Sequence, residues 1–249
     1  MASILADDFV PDRAARQDEA RAYRALLRLL GRRVPQPAPG PQVPVLLVPG
    51  FISGDLSLGL LARELRRRGH RTFPSGIGAN LGCTDAMVDR LIARAESVAA
   101  DEGRPVALVG HSRGGMIVNL AARRRPDLVA GLVVLSAPVT GTLSVARHVR
   151  QQLEWLFRLH RRGFSGVLAE DCVLGECGER VAAELRTPFP AAVPYTSVYS
   201  RTDAIIDWHT CLDPSAELVE VSAAHTGMAT DPRVQAIVVT RLAALARAA

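Results

Sequence analysis

One hexapeptide constrains this chain more than any other stretch: Gly110-His111-Ser112-Arg113-Gly114-Gly115. It follows a short apolar strand, Pro105 to Val109, and precedes an amphipathic helical stretch, Met116 to Arg125. A Gly-x-Ser-x-Gly between a strand and a helix has the form of a nucleophile elbow, in which the serine sits at the apex of a sharp turn and projects above a sheet. The chain on either side must pass so close that side chains are excluded, which fits glycine at 110 and 114. The same pattern also occurs as an ordinary glycine-rich turn with an incidental serine. The rest of the chain has to decide between the two.

The remaining strands place the elbow in a parallel sheet. Val43 to Val48 is a continuous apolar run, expected of a strand buried on both faces. A helix is predicted from Leu56 to Arg68, a short strand around His70 to Pro74, and a helix from Thr84 to Ala100 with Thr84 as N-cap. Further strands are read at Leu132 to Ser136, Tyr195 to Tyr199 and Glu217 to Val221, with a last helix from Val234 to Ala248. Six strands alternating with helices predict a doubly wound, mostly parallel α/β sheet. Ahead of it, Asp12 to Arg33 reads as one helix with an apolar stripe of Tyr23, Leu26, Leu27 and Leu30 and Gly31 as C-cap. Five prolines between Val34 and Pro44 make an extended connector. The chain thus divides into an N-terminal helix and connector, residues 1–42, and a catalytic-type domain, residues 43–249. Within the latter, 139–194 holds no strand. It carries a helix from Leu143 to Arg162, with Val145, Val149, Leu153, Leu156 and Phe157 as apolar positions, and a short helix at Glu179 to Leu185.

A serine hydroxyl needs a base to take its proton and a group to orient that base. His225 lies just past the strand Glu217–Val221, and Asp203 just past Tyr195–Tyr199, both on the sheet edge where Ser112 is expected and where sites form in open parallel sheets. Asp207 is the alternative acid. His70 falls at the wrong sheet end, His111 is expected to point elsewhere, His148 and His160 lie in the inserted helix, and His209 lies further into the loop. A developing oxyanion needs donors. One is the N–H of Arg113. The other falls in Pro49-Gly50-Phe51-Ile52, with Phe51 first and Ile52 second.

These residues together resemble the α/β-hydrolase superfamily, and within it the small bacterial esterases and lipases with a shortened sheet. The resemblance runs from Val43 to the C-terminus and rests on Val48-Pro49-Gly50-Phe51, the elbow, Tyr199 to Asp203, and Ser222 to Gly227. It implies Ser112 as nucleophile, Asp203 as acid and His225 as base. It also implies that 139–194 is a helical cap or lid between strands 6 and 7 of the family's own count. Two departures stand out: the family's first two strands are absent, and the oxyanion loop has Pro-Gly where many relatives have His-Gly. A lid over the site makes Ile52, Leu143, Val149, Leu153, Leu156 and Phe157 candidates for lining an acyl pocket. The expected activity is cleavage of a small-molecule carboxylic ester with an apolar part, through an acyl-enzyme. A thioesterase, cyclase or acyltransferase would use the same residues, and a non-catalytic binding protein of the same fold is the remaining alternative.

Composition narrows the partners. A hydrophobic content of 48% and 22% charged residues describe a globular chain. The basic charge is all arginine and the net charge only +5. Arg66 to Arg68 and Arg123 to Arg125 read as solvated helix ends, and aromatic residues for base stacking are scarce, so no nucleic-acid partner is expected. No apolar run has the length of a membrane span, and the N-terminus lacks the pattern of a secretory signal, which together point to a cytoplasmic location. Cys83, Cys172, Cys177 and Cys211 are then expected as thiols. A disulfide within Cys172 to Cys211 is the alternative for an exported protein. With no His-x-x-x-His pair, no Cys-x-x-Cys and no cysteine cluster in the sequence, neither metal nor other cofactor is expected.

Overall fold

The computed structural model describes residues 5–6, 9–29 and 35–248. Its centre is a six-stranded, all-parallel sheet: β1 (Val45–Val48), β2 (Thr72–Pro74), β3 (Val106–His111), β4 (Val129–Leu135), β5 (Tyr195–Ser200) and β6 (Glu217–Val221), in spatial order β2-β1-β3-β4-β5-β6. The chain order reverses direction beside β1, and each crossover carries helices. Strand side chains alternate between two cores. Leu46, Val48, Leu108, Leu132 and Val134 join one, against α3 (Thr84–Glu102) and α4 (Arg113–Arg124). Val45, Leu47, Ala107, Val109, Val133 and Leu135 join the other, against α2 (Gly59–Arg67) and α8 (Pro232–Ala248). That period of two is why the strands read as unbroken apolar runs: both faces are covered. The helices supply matching stripes, such as Val234, Val238 and Leu242 on α8, spaced by four.

Helix boundaries differ from expectation for identifiable reasons. The predicted helix after β1 begins as a 3-10 turn, Asp55–Leu58, before α2. Thr84 is not the cap of α3. Cys83 holds that position, and the Thr84 hydroxyl instead accepts from the Arg113 guanidinium at 3.2 Å. The N-terminal helix is α1 (Arg13–Leu29), with Asp12 Oδ1 accepting from the Ala15 N–H at 2.7 Å as its cap. Leu30, Gly31 and Val34 lie outside the described residues, as do the side chains of Leu26 and Leu27.

The stretch 139–194 connects β4 to β5 and carries α5 (Arg147–Arg161), α6 (Asp171–Leu174) and α7 (Glu176–Arg186). Its first helix starts four residues later than predicted. Leu143 to Ala146 are extended instead, because their backbone is engaged on both sides. Leu143 O accepts from Ala6 N–H at 3.0 Å, and Ala146 N–H donates to Ile205 O at 2.8 Å. Arginines at the end of α4 hold the insertion down. Arg123 donates to the Leu185 and Thr187 carbonyls and pairs with buried Asp213 at 3.4 Å. Arg124 bridges Glu184 of α7 and Asp85 of α3 at 2.8 and 2.7 Å. Arg123 and Arg124 are therefore partly buried ion-pair partners, not a solvated helix end. Arg125 stays at the solvated end as expected, paired there with Glu96 and Asp127.

Two glycines gauge the tightness of the fold. A Cβ on Gly114 would sit 2.3 Å from the Val48 carbonyl oxygen, whereas a Cβ on Gly59, in helical backbone at φ −59°, meets nothing within 4 Å. Gly114→Ala should therefore lose roughly 1–3 kcal/mol by overpacking, and Gly59→Ala should gain about 0.5–1 kcal/mol by helix propensity. Urea unfolding midpoints of the two variants should move in opposite directions.

Candidate active site

Ser112 follows β3 directly and α4 begins at the next residue. Its φ of 55° is left-handed, unusual for a residue with a Cβ. The turn is held by the Ser112 N–H on Leu135 O and by the Ser112 carbonyl, which accepts from Gly115 N–H, both at 2.8 Å. The glycines around it are sterically required. A Cβ on Gly110 would lie 2.5 Å from Gly114 O, and one on Gly114 would strike the carbonyls of both Val48 and Pro49. The hexapeptide thus has the elbow's geometry, and the loop after β1 lies against it: a Cβ on Gly50 would be 3.1 Å from Ser112 Cβ.

His225 and Asp203 meet as a buried pair, Nδ1 to Oδ2, at 2.7 Å. The other Asp203 oxygen accepts from the N–H groups of Ile205 and Ile206 at 2.8 and 2.9 Å. Burial pushes the Asp203 carboxyl up, but the His225 charge and these hydrogen bonds outweigh it and leave its pKa below the ordinary value. Burial likewise pushes His225 down. The Asp203 charge and hydrogen bond, helped by Glu19, win and hold it above the ordinary value. Asp207, the alternative acid, is hydrogen-bonded elsewhere, to His209 on the surface at 2.7 Å.

His111 does not point away from the site. Its ring lies 4.8 Å from that of His225, and its Nε2 is 3.0 Å from the His225 carbonyl oxygen, which makes that nitrogen the donor. Burial first, then the neighbouring His225, push its pKa down to about 3. It is a neutral ring that pins the backbone of His225.

The Arg113 side chain turns inward. It donates to Asn80 O and Oδ1, Gly82 O and Thr84 Oγ1 at 2.5–3.2 Å, and burial lowers its pKa to about 10. Asn80, fully buried, donates from its side chain to Pro49 O at 2.8 Å, and its backbone pairs with Ser53 and Ile52. Arg113 and Asn80 therefore brace the loop after β1. Ile52 N–H is spent on Asn80 O at 3.4 Å. The N–H groups of Phe51 and Arg113 are hydrogen-bonded to nothing among the described residues. Asn80 sits in a glycine-rich loop with no motif of its own, so nothing in the sequence marks it.

Ser112 and His225 line a cavity of about 640 Å³ with Phe51, Ile52, Leu143, Val149 and Leu153. Leu156 and Phe157 do not reach it. They are buried with Leu168, Val173 and Ala182 beneath the insertion, because a helix face wide enough to pack on its neighbours cannot turn every apolar position toward the cavity. The N-terminal helix supplies a wall absent from the sequence expectation: Arg16, Glu19, Ala20 and Tyr23, one face of α1 at i, i+3, i+4 and i+7. Glu19 Oε1 also accepts from the Thr226 N–H at 2.6 Å, next to His225. The cysteines are thiols, as expected, but the expectation of no cysteine cluster needs correction. All four are free thiols, yet Cys83, Cys172 and Cys177 form a cluster with their sulfurs within 4.8 Å of one another. Cys83 and Cys177 are 94 positions apart, a separation no spacing motif covers. No helix among the described residues is long and apolar enough to cross a membrane.

Comparison with known proteins agrees with this geometry. A model of the alpha/beta hydrolase fold family matches residues 79–171, which include the elbow. The chain is similar to a triacylglycerol lipase of Vibrio cholerae, 31% identical over 113 residues, 43% of this chain and 36% of that one. It is also similar to esterase PIR7B of Oryza sativa, 32% identical over 163 residues, 60% of this chain and 58% of that one. The matched part thus spans between a third and three fifths of these curated relatives. The crystal structure of the mature lipase BlEst2 of Bacillus licheniformis superposes with a TM-score of 0.63 over 85% of this chain and 96% of that one, at 14% identity, a likeness of fold. With the sheet order, the elbow and these likenesses in agreement, the chain has the α/β-hydrolase fold.

Proposed function

We propose that the protein is a serine hydrolase of carboxylic esters acting through an acyl-enzyme. The buried 2.7 Å Asp203–His225 pair, opening on the same cavity as the elbow serine, carries this reading. Ser112 Oγ attacks the ester carbonyl while His225 Nε2, the ring nitrogen not held by Asp203, takes its proton. Asp203 keeps Nδ1 protonated and stabilises the imidazolium. The tetrahedral oxyanion receives the two uncommitted N–H groups of Phe51 and Arg113. As the C–O bond breaks, His225 returns the proton to the leaving alkoxide. A water then attacks the acyl-enzyme, with His225 again as base, and the acid departs.

The apolar lining and size of the cavity support an ester with an apolar part. The position of Leu143, Val149 and Leu153 on its wall supports residues 139–194 as its lid. The two curated relatives are named as a lipase and an esterase, which supports oxygen esters over thioesters.

A fluorophosphonate probe should label the wild type and not Ser112→Ala; an unlabelled wild type overturns the mechanism. Matched oxygen esters and thioesters should be cleaved with a preference for the former. Asp203→Asn should lower kcat on the order of 10³–10⁴-fold, while Asp207→Asn should stay within about threefold of wild type, as surface changes do.

His225 must be neutral to accept the serine proton, and its pKa is raised above 6.5. Activity should therefore rise with pH through an acid limb in kcat/KM above pH 6.5. Glu19→Gln removes a charge that raises this pKa, so the limb should shift to lower pH. A limb that moves upward would contradict the assignment.

Asn80→Ala strips a buried brace from the oxyanion loop, at a cost of about 1–3 kcal/mol. If that cost falls on the transition state, kcat should drop roughly 5–150-fold with KM little changed. Steady-state kinetics on one ester would separate this from a loss of substrate binding.

A further inference from the structure

Three of the four cysteines converge at one point on the inner side of the insertion. Cys83 caps the N-terminus of α3, Cys172 lies in α6 and Cys177 in the first turn of α7. The Cys83 and Cys177 sulfurs are 3.6 Å apart, and all three lie within 4.8 Å of one another. Asp85 Oδ2 is 3.7 Å from the Cys177 sulfur. Three thiols, from the start of α3, from α6 and from α7, thus surround one small volume, with Asp85 against Cys177 alone.

The spacing is that of a tetrahedral thiolate site. With zinc–sulfur bonds of about 2.3 Å, the sulfur–sulfur edge of a tetrahedron is about 3.8 Å. The Cys83–Cys177 separation already matches, and the widest pair has to close by about 1 Å. Hard cations prefer oxygen donors, whereas three thiols select a soft or borderline ion.

Charge gives a second, independent indication. Arg113 is buried and donates to Gly82 O and Thr84 Oγ1, on either side of Cys83. All its hydrogen bonds go to neutral groups, and no carboxylate among the described residues is paired with it. A buried guanidinium without a counter-charge is costly. Three thiolates and a divalent ion carry a net charge of −1, which Arg113 would neutralise. Asp85 is already balanced by Arg124 at 2.7 Å and Arg180 at 3.6 Å. A disulfide between two of the cysteines would leave the third sulfur and the Arg113 charge unaccounted for.

We propose that Cys83, Cys172 and Cys177 bind a zinc ion as three thiolates, with the fourth position left to solvent. Cys172 also lines the cavity that Ser112 and His225 line, so the site borders that pocket while supplying no group to acyl transfer. It clamps α6 and α7 to α3, the same elements that Arg124 bridges. The thiol protons leave to solvent as the ion enters.

The test uses the full chain, reduced and freed of metal. Cobalt(II), titrated in as a spectroscopic stand-in, should bind one equivalent with a near-ultraviolet sulfur-to-cobalt charge-transfer band of three-thiolate intensity. Zinc(II) should displace it and raise the thermal midpoint. Cys83→Ser, Cys172→Ser and Cys177→Ser should each weaken binding by roughly 10–100-fold or more, while Cys211→Ser, in a separate part of the core, should bind as the wild type does. The wild-type titration stands even if a variant fails to fold. Lack of stoichiometric uptake, a band of one thiolate or none, or undiminished binding in the triple serine variant would each overturn the proposal. So would a Cys83–Cys177 disulfide in the isolated protein whose reduction brings no gain in zinc binding.

Discussion

The contact between the first turn of α4 and the end of β1 governs the rest of the molecule. The Gly114 backbone lies so near the Val48 and Pro49 carbonyls that not even a methyl group fits. That approach goes with the left-handed Ser112 and places Phe51, just past β1, beside the start of α4 at Arg113. Backbone strain at a functional residue persists only where its surroundings over-determine it. Here the surroundings are a helix buried along nearly its whole length, from Arg113 to Ala122.

From that point the site is braced in two directions. Toward the oxyanion loop, the Arg113 side chain and Asn80 form a buried chain of hydrogen bonds ending on Pro49 O. Toward the base, His111 fixes the His225 carbonyl. The residues on either side of the serine thus each hold a neighbouring loop, His111 the His225 carbonyl and Arg113 the loop after β1, which their sequence position alone did not disclose: His111 was expected to point elsewhere, and Arg113 offered only its N–H.

What was legible in the sequence follows a physical line. Strands covered on both faces show as apolar runs, so the sheet and its chain order could be read from Val43 onward, and residues just past strand ends fall on a shared edge, so Ser112, Asp203 and His225 could be grouped. Side-chain direction across long separations leaves no such trace. Leu156 and Phe157 shared the periodicity of Leu153 yet turned into the packing beneath the insertion. Leu143 and Val145 continued a helical stripe but were drawn into extended pairing by Ile205 and the N-terminal segment. The meeting of Cys83 with Cys177 and the bridging by Arg124 depend on how α7 docks, which no local pattern encodes.

The wall formed by α1 has a consequence for how such a chain diversifies. Arg16, Glu19, Ala20 and Tyr23 face the cavity from a helix that contributes no strand to the sheet, and Glu19 reaches the loop bearing His225. A chain beginning at Val43 would retain Ser112, Asp203 and His225 but lose one wall of the cavity and the Glu19 carboxylate on the Thr226 N–H. The shape and charge of the cavity wall thereby depend on a segment outside the sheet, while the turn at Ser112 is set by the steric limits of its own glycines.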